Sequence, residues 1–343
     1  MSADAGPGEA RAGTALRGGA ADAARLHTNT RTPDFFIIGQ PKSGTTALYE
    51  MLRLHPQIYM PDSKEPWFFA AELQHRSPPR PEGIPETFED YLALFQAARS
   101  EQRVGEASPL YLWSQTAAAA IAAVQPGARI IAILREPVSL LHSLHLQFLK
   151  TYIETEPDFG KAIALEASRR EGRDIPRYTY WPQALLYSEH VRYVEQLKRY
   201  RDLFGAEQML VLIYDDFRRD NDETVRRVLR FLEVDAEAPI ALREANPTVG
   251  MRSQRVHELF HAVSVGRGPV SRAVKGAIKA ATPRPLRRQA LDAAQRRIVY
   301  VEPQPPDERL ALELRRRFKP QVQALGEYLD RDLVSLWGYG DVS

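Results

Sequence analysis

Residues 34–54 read DFFIIGQPKSGTTALYEMLRL, and the punctuation of this stretch decides the fold. Phe35-Phe36-Ile37-Ile38 is a short apolar run of the kind that forms a buried strand. Gly39, Pro41 and Gly44 then make a loop around Lys42 and Ser43. From Thr45-Thr46 onward, Leu48, Met51, Leu52 and Leu54 repeat at helical spacing, so a helix is predicted to start there. Strand, glycine loop and helix N-terminus together make an anion cradle. Backbone N–H groups converge on the loop, the helix dipole adds positive potential, and a lysine supplies the full charge. Pro41, Lys42, Ser43, Gly44, Thr45 and Thr46 are the residues that would line it.

Spacing then asks which anion is held. A nucleoside-triphosphate loop reads G-x-x-x-x-G-K-[ST], with lysine directly after the second glycine. Here Gly39 and Gly44 stand at that distance, but Thr45 takes the lysine place and Lys42 lies inside the loop. A second signature points the same way. Arg129–Leu134, RIIAIL, is a strongly β-prone run that ends in Arg135-Glu136-Pro137. In an ATPase or GTPase the corresponding strand typically ends in an aspartate that holds Mg²⁺. An arginine there speaks for a second phosphate bound directly, because its planar fork makes bidentate bonds to phosphate.

GQPKSGTTAL resembles the 5′-phosphosulfate loop of sulfotransferases that use 3′-phosphoadenosine 5′-phosphosulfate (PAPS), in the branch with the heparan-sulfate and many bacterial enzymes. L-R-[DE]-P with a serine eight residues after the arginine is similar to that family's 3′-phosphate motif, and Arg135 and Ser143 fill its places. The family pattern K-E-x-x-[FY]-F lies at Lys64-Glu65-Pro66-Trp67-Phe68-Phe69, and the resemblance makes Glu65 the base that deprotonates the acceptor. Desolvation beside aromatics would raise such a carboxylate's pKa, with Lys64 opposing the shift. A histidine base serves another branch, so His142 and His145 stand as rivals. These two lie three apart on one predicted helix, without a third residue at metal-ligand spacing. Gly105-Glu106-Ala107-Ser108-Pro109 resembles the family's G-E-x-S-P, in which some members carry lysine at the Ala107 place; Lys64 is the substitute available. Residues 204–234, with YDDF and FLEV, resemble the family's C-terminal half, and Asp215 and Asp216 read as turn and cap residues. Arg252, in the loop 246–253, is a further candidate phosphate contact.

Composition bounds the rest. The chain has 343 residues, 44% of them hydrophobic, which suits one large domain with a real core. Net charge is +2, from 46 basic and 44 acidic residues, so bulk charge does not argue for a nucleic-acid partner. There is no cysteine, which excludes disulfides and thiolate chemistry and suits a cytoplasmic protein. No apolar run approaches the ~18 residues of a membrane span. Residues 1–31, rich in Ala, Gly and Arg, read as a disordered extension before a single domain over 32–343. Within 251–299 there are 11 Lys or Arg but only Glu258 and Asp292 on the acidic side. This basic helical cap (250–300) is expected to face an anionic acceptor or, peripherally, an anionic membrane surface. Further helices are predicted at 87–98, 159–170, 182–204, 222–233 and 307–330, and strands at 57–60 and 209–214.

These alternating elements predict an α/β fold, a P-loop-like open and mainly parallel sheet flanked by helices. Ligands of such sheets sit at the carboxyl ends of the strands, where both anion motifs fall. The resemblance implies metal-independent sulfuryl transfer from PAPS to a hydroxyl or amine on a carbohydrate, glycolipid or small metabolite. A P-loop nucleotide kinase and a catalytically silent nucleotide-binding protein stand as alternatives.

Overall fold

The computed structural model describes residues 31–73, 84–100, 102–177, 179, 181–240, 250–251, 300–301 and 305–342. Its first half contains strand β1 (Phe35–Gly39), helix α1 (Thr45–Arg53), β2 (Ile58–Tyr59), α2 (Phe88–Ala93), β3 (Arg103–Ala107), α3 (Ala117–Val124), β4 (Arg129–Leu134) and α4 (Pro137–Lys150). The second half contains α5 (Phe159–Ala164), α6 (Glu166–Arg170), α7 (Tyr193–Arg201), β5 (Met209–Ile213), α8 (Tyr214–Arg219) and α9 (Asn221–Leu232). After these come β6 (Gly250–Met251), β7 (Tyr300–Val301), α10 (Glu308–Leu329) and α11 (Leu333–Leu336).

Five strands form one sheet in the order β2-β3-β1-β4-β5, and every neighbouring pair is parallel. β1 is buried along its whole length. Phe35 and Ile37 enter one core with Leu48 and Leu52 of α1 and Val228 and Leu229 of α9. Phe36 and Ile38 enter the other, with Leu140 and Leu144 of α4, Leu197 of α7 and Phe318 of α10. A strand covered on both faces needs apolar residues at every position, which is why its sequence is continuous rather than alternating. The chain fills one side of β1 with β2 and β3, then crosses to the other side for β4 and β5. That makes the carboxyl end of β1 the topological switch point.

The open parallel α/β sheet expected from the sequence is therefore present, and the departures are in the helices. The helix predicted over 182–204 is helical only at 193–201; before it run two tight 3₁₀ turns, Pro182–Leu185 and Tyr187–Val191. Side chains intercept the carbonyls a continuous helix would need. His190 Nε2 lies 2.9 Å from the Ala184 carbonyl, Gln196 donates to Glu189 O (2.8 Å), and Gln40 donates to His190 O (3.0 Å). The helix predicted at 87–98 ends at Ala93, and the one at 159–170 is split at Leu165. Asp215 and Asp216 lie in the first turn of α8 and moor the C-terminus: Asp215 accepts from Trp337 Nε1 (2.9 Å) and Asp216 pairs with Arg331 (2.8 Å). Residues 1–30, most of the basic 251–299 segment and Arg252 lie outside the described residues.

Candidate active site

The loop after β1 is shaped by two left-handed residues, Lys42 at φ 64° and Gly44 at φ 85°. Gly44 has little room for a side chain: a Cβ there would stand 3.0 Å from the Phe217 ring and 3.2 Å from that of Tyr214. Gln40, fully buried, anchors the loop from behind by donating to Gln196 Oε1 (2.7 Å) as well as to His190 O. Gly44 is the N-cap of α1 and supplies no side-chain cap, so the first amides of that helix are left for a ligand. α4 makes the contrast. Its N-terminus is closed by Glu136, whose carboxylate accepts from Val138 N (3.0 Å) and Ser139 N (2.7 Å). α1, like α8 after β5, starts at the sheet's carboxyl edge without a side-chain cap.

Arg135 follows β4 directly and reaches across to the loop. Its Nη1 donates to the Lys42 carbonyl at 2.8 Å, and its guanidinium lies 4.9 Å over the Tyr214 ring. Tyr193 Oη donates to the Arg135 carbonyl (2.7 Å), which fixes the backbone. Pro41, Lys42, Gly44, Thr45, Thr46, Glu65 and Arg135 all line one cavity of about 410 Å³, a volume within the ligand-site range. Seven of the sequence-predicted residues are thus brought together. Ser43 and Ser143 do not line it: Ser43 is wholly buried with its hydroxyl 3.4 Å from Pro41 O, and Ser143 is 3% exposed on α4, beside the lining residue Leu144. Neither His142 nor His145 lines it. His145 is buried between the Tyr187 hydroxyl (3.0 Å) and the Pro157 carbonyl (3.2 Å), and His142 packs on Phe159.

Positive charge is concentrated here. Burial lowers the Lys42 pKa from its ordinary value, and Lys150, Arg135 and Lys64 lower it further while Glu65 opposes them. Burial also lowers that of Arg135. Cations desolvated beside one another are unfavourable until an anion arrives, so the cluster fits a ligand with phosphate-like groups. The residues present fit a PAPS-like anion: an uncapped helix start, a glycine where a Cβ would crowd Phe217, and two half-buried cations around one cavity.

Glu65 approaches from the segment after β2. It pairs with Lys64 (Nζ–Oε1 2.6 Å), and its carboxylate remains about one-third exposed. Glu65 and Trp67 both have positive φ, 64° and 50°. Trp67 meets Trp181 edge-on at 5.3 Å, and both rings line the cavity. Of the aromatics after Glu65, Phe69 is buried in the core, while Trp67 and Phe68 are half-buried, Phe68 stacking on Tyr91 at 4.8 Å. Tyr178 and Tyr180, which precede Trp181 in the sequence, lie outside the described residues. Tyr214 was not anticipated as a site residue. It stands directly after β5, so the strand-end rule that singled out Arg135 also points to it. Among the described residues no group of three or more His, Asp or Glu side chains converges as a metal site.

A family model for the sulfotransferase family matches residues 33–238. Carbohydrate sulfotransferase 15 of Mus musculus is 30% identical over 267 residues, covering 64% of this chain and 47% of that protein. Heparan sulfate glucosamine 3-O-sulfotransferase 3A1 of Mus musculus is 28% identical over 202 residues, 58% of this chain and 45% of that protein. The chain thus spans less than half the length of these relatives. Among solved structures, a sulfotransferase from Alicyclobacillus acidocaldarius superposes with a TM-score of 0.62 at 26% identity, covering 90% of this chain and 99% of that one.

Proposed function

The chain belongs to the sulfotransferase family, and we propose that it moves a sulfuryl group from PAPS to a hydroxyl or amine of a carbohydrate. The observation that carries this reading is the convergence of Lys42, Arg135 and the uncapped start of α1 on the cavity that Glu65 also lines. PAPS, when bound, supplies the sulfuryl group and the leaving 3′,5′-ADP. Lys42 and the loop amides are placed to offset charge that builds as the sulfur–oxygen bond breaks, and Arg135 to hold the second phosphate. Glu65, paired with Lys64 at 2.6 Å, takes the proton of the attacking hydroxyl or amine. Trp67 and Trp181, which line the cavity, supply aromatic surface for an acceptor sugar. Positioning and electrostatics supply the rate, as in phosphoryl transfer, and no residue of this proposal is assigned to a metal.

Carbohydrate is preferred over lipid or phenol as the acceptor because the names of the curated relatives specify carbohydrate and heparan sulfate. Cytoplasmic location and peripheral membrane contact through 251–299 remain part of the proposal, the latter resting on residues outside those described. Among the described residues no helix is long and apolar enough to cross a membrane. The kinase alternative is disfavoured by the lysine displaced from the position after Gly44 and by the family match. Calorimetry with 3′,5′-ADP and with ATP-Mg²⁺ tests the donor side; preference for ATP-Mg²⁺ would defeat the reading.

A further inference from the structure

Glu106, on β3, is fully buried beneath the segment that carries Glu65. Its Oε2 accepts from two tyrosine hydroxyls, Tyr91 at 2.9 Å and Tyr111 at 3.1 Å. Each of these, and the chain beside Glu106, grips residues 65–69. The Tyr111 oxygen accepts from the Phe69 amide (3.2 Å). Ser108 Oγ accepts from the Trp67 amide (3.3 Å), and the Ala107 carbonyl accepts from the Glu65 amide (3.1 Å). Tyr91 stacks under Phe68, with ring planes 18° apart. So the amides of residues 65, 67 and 69 end on Ala107, Ser108 and Tyr111, the stretch that follows Glu106, and Tyr111 in turn donates to its carboxylate.

That segment needs such a grip. Glu65 and Trp67 are both held at positive φ without being glycine, a conformation that persists only when the surroundings over-determine it. Glu65 itself touches the cavity, whereas Glu106 does not line it.

We propose that Glu106 is a positioning residue for the transfer step: through Tyr111 and Tyr91 it clamps residues 65–69 in the left-handed arrangement that presents the Glu65 carboxylate to the cavity. The inference rests on the reading of Glu65 as the base. It requires a hydrogen-bond acceptor at position 106, not a catalytic charge. Glu106→Gln keeps an acceptor oxygen for the tyrosines; Glu106→Leu removes it at similar size.

The test uses the full chain and three readouts: turnover with labelled PAPS over a panel of glycosaminoglycans and simple glycosides, affinity for 3′,5′-ADP, and amide hydrogen exchange at residues 65, 67 and 69. Glu106→Leu is expected to speed exchange at those three amides and to lower kcat about ten- to a hundredfold, since misplacement by ~1 Å can cost that much. 3′,5′-ADP affinity should be unchanged, and Glu106→Gln should restore both exchange and turnover. Tyr111→Phe and Ser108→Ala, which remove the partners of the Phe69 and Trp67 amides, should each reproduce part of the loss and serve if Glu106→Leu does not fold. Unchanged exchange at residues 65–69 in all three variants overturns the inference. So does normal kcat per folded molecule while Glu65→Gln is inactive. If Glu65→Gln itself retains turnover, the base assignment fails and the inference falls with it, a result distinct from the other two.

Discussion

Gly44→Ala perturbs the cradle where it has least room. At φ 85° an L side chain costs about 1–2 kcal/mol. The added Cβ would lie 3.0 Å from two carbons of Phe217, a ring that is 1% exposed and locked in the core rather than the free end of a flexible chain. Overpacking of that kind costs about 1–3 kcal/mol, so the perturbation totals about 2–5 kcal/mol. The protein can take this loss in two ways. If the loop holds, the ligand-free fold is destabilised by the whole amount. If the loop shifts, stability recovers in part, but Lys42 and the start of α1 move and anion affinity falls. Urea unfolding with and without 3′,5′-ADP separates the two, because a ligand bound to the native state adds stability in proportion to its affinity. The losses in unfolding free energy and in 3′,5′-ADP binding should together reach that total. A variant with wild-type stability and wild-type affinity would refute the account of the loop.

Three other outcomes follow from the same geometry. Because burial, and after it the neighbouring cations, hold the Lys42 pKa below the ordinary lysine value, 3′,5′-ADP affinity should begin to fall at a pH below that of an ordinary lysine. Binding there should take up protons, seen by calorimetry in two buffers, and Lys42→Ala should remove both effects. Glu65→Gln should leave 3′,5′-ADP binding intact and abolish sulfate transfer; lost binding would make Glu65 a structural residue. Burial raises the Glu106 pKa to about 7, so the folded state keeps a proton that the unfolded chain gives up above the ordinary value of 4.5. The stabilisation present below that ordinary value is therefore lost as pH rises through 7, a change of about 3 kcal/mol. His142, held down to about 4 chiefly by burial, works in the opposite direction at acid pH. The measurement is thus the difference in urea stability between wild type and Glu106→Gln at pH about 5 and about 8; a pH-independent difference would contradict it.

The features legible in the sequence were those written locally. β1, its loop and α1 announce themselves because an apolar run, two glycines and a 3.6-residue repeat are each short-range patterns. Lys42 and Arg135 were readable because both follow strand ends, and in a parallel sheet strand ends converge. What stayed hidden was set by contacts distant in sequence. The break before α7 depends on Gln40, 150 residues upstream, taking the His190 carbonyl. Ser43 and Ser143 carry the residue types expected of phosphate contacts, yet which way each faces is decided by packing, and both faces are buried. Glu106 stands in a motif the sequence marks, but what it does there is hidden until Tyr91 and Tyr111 are seen to converge on it.

The most direct test of the central claim is transfer of labelled sulfate from PAPS by the purified chain, with Lys42→Ala and Arg135→Ala alongside. Label should pass to a carbohydrate acceptor with equal release of 3′,5′-ADP, and each variant should lose at least about a hundredfold in rate. Absence of transfer from PAPS together with Mg²⁺-dependent ATP turnover would contradict it.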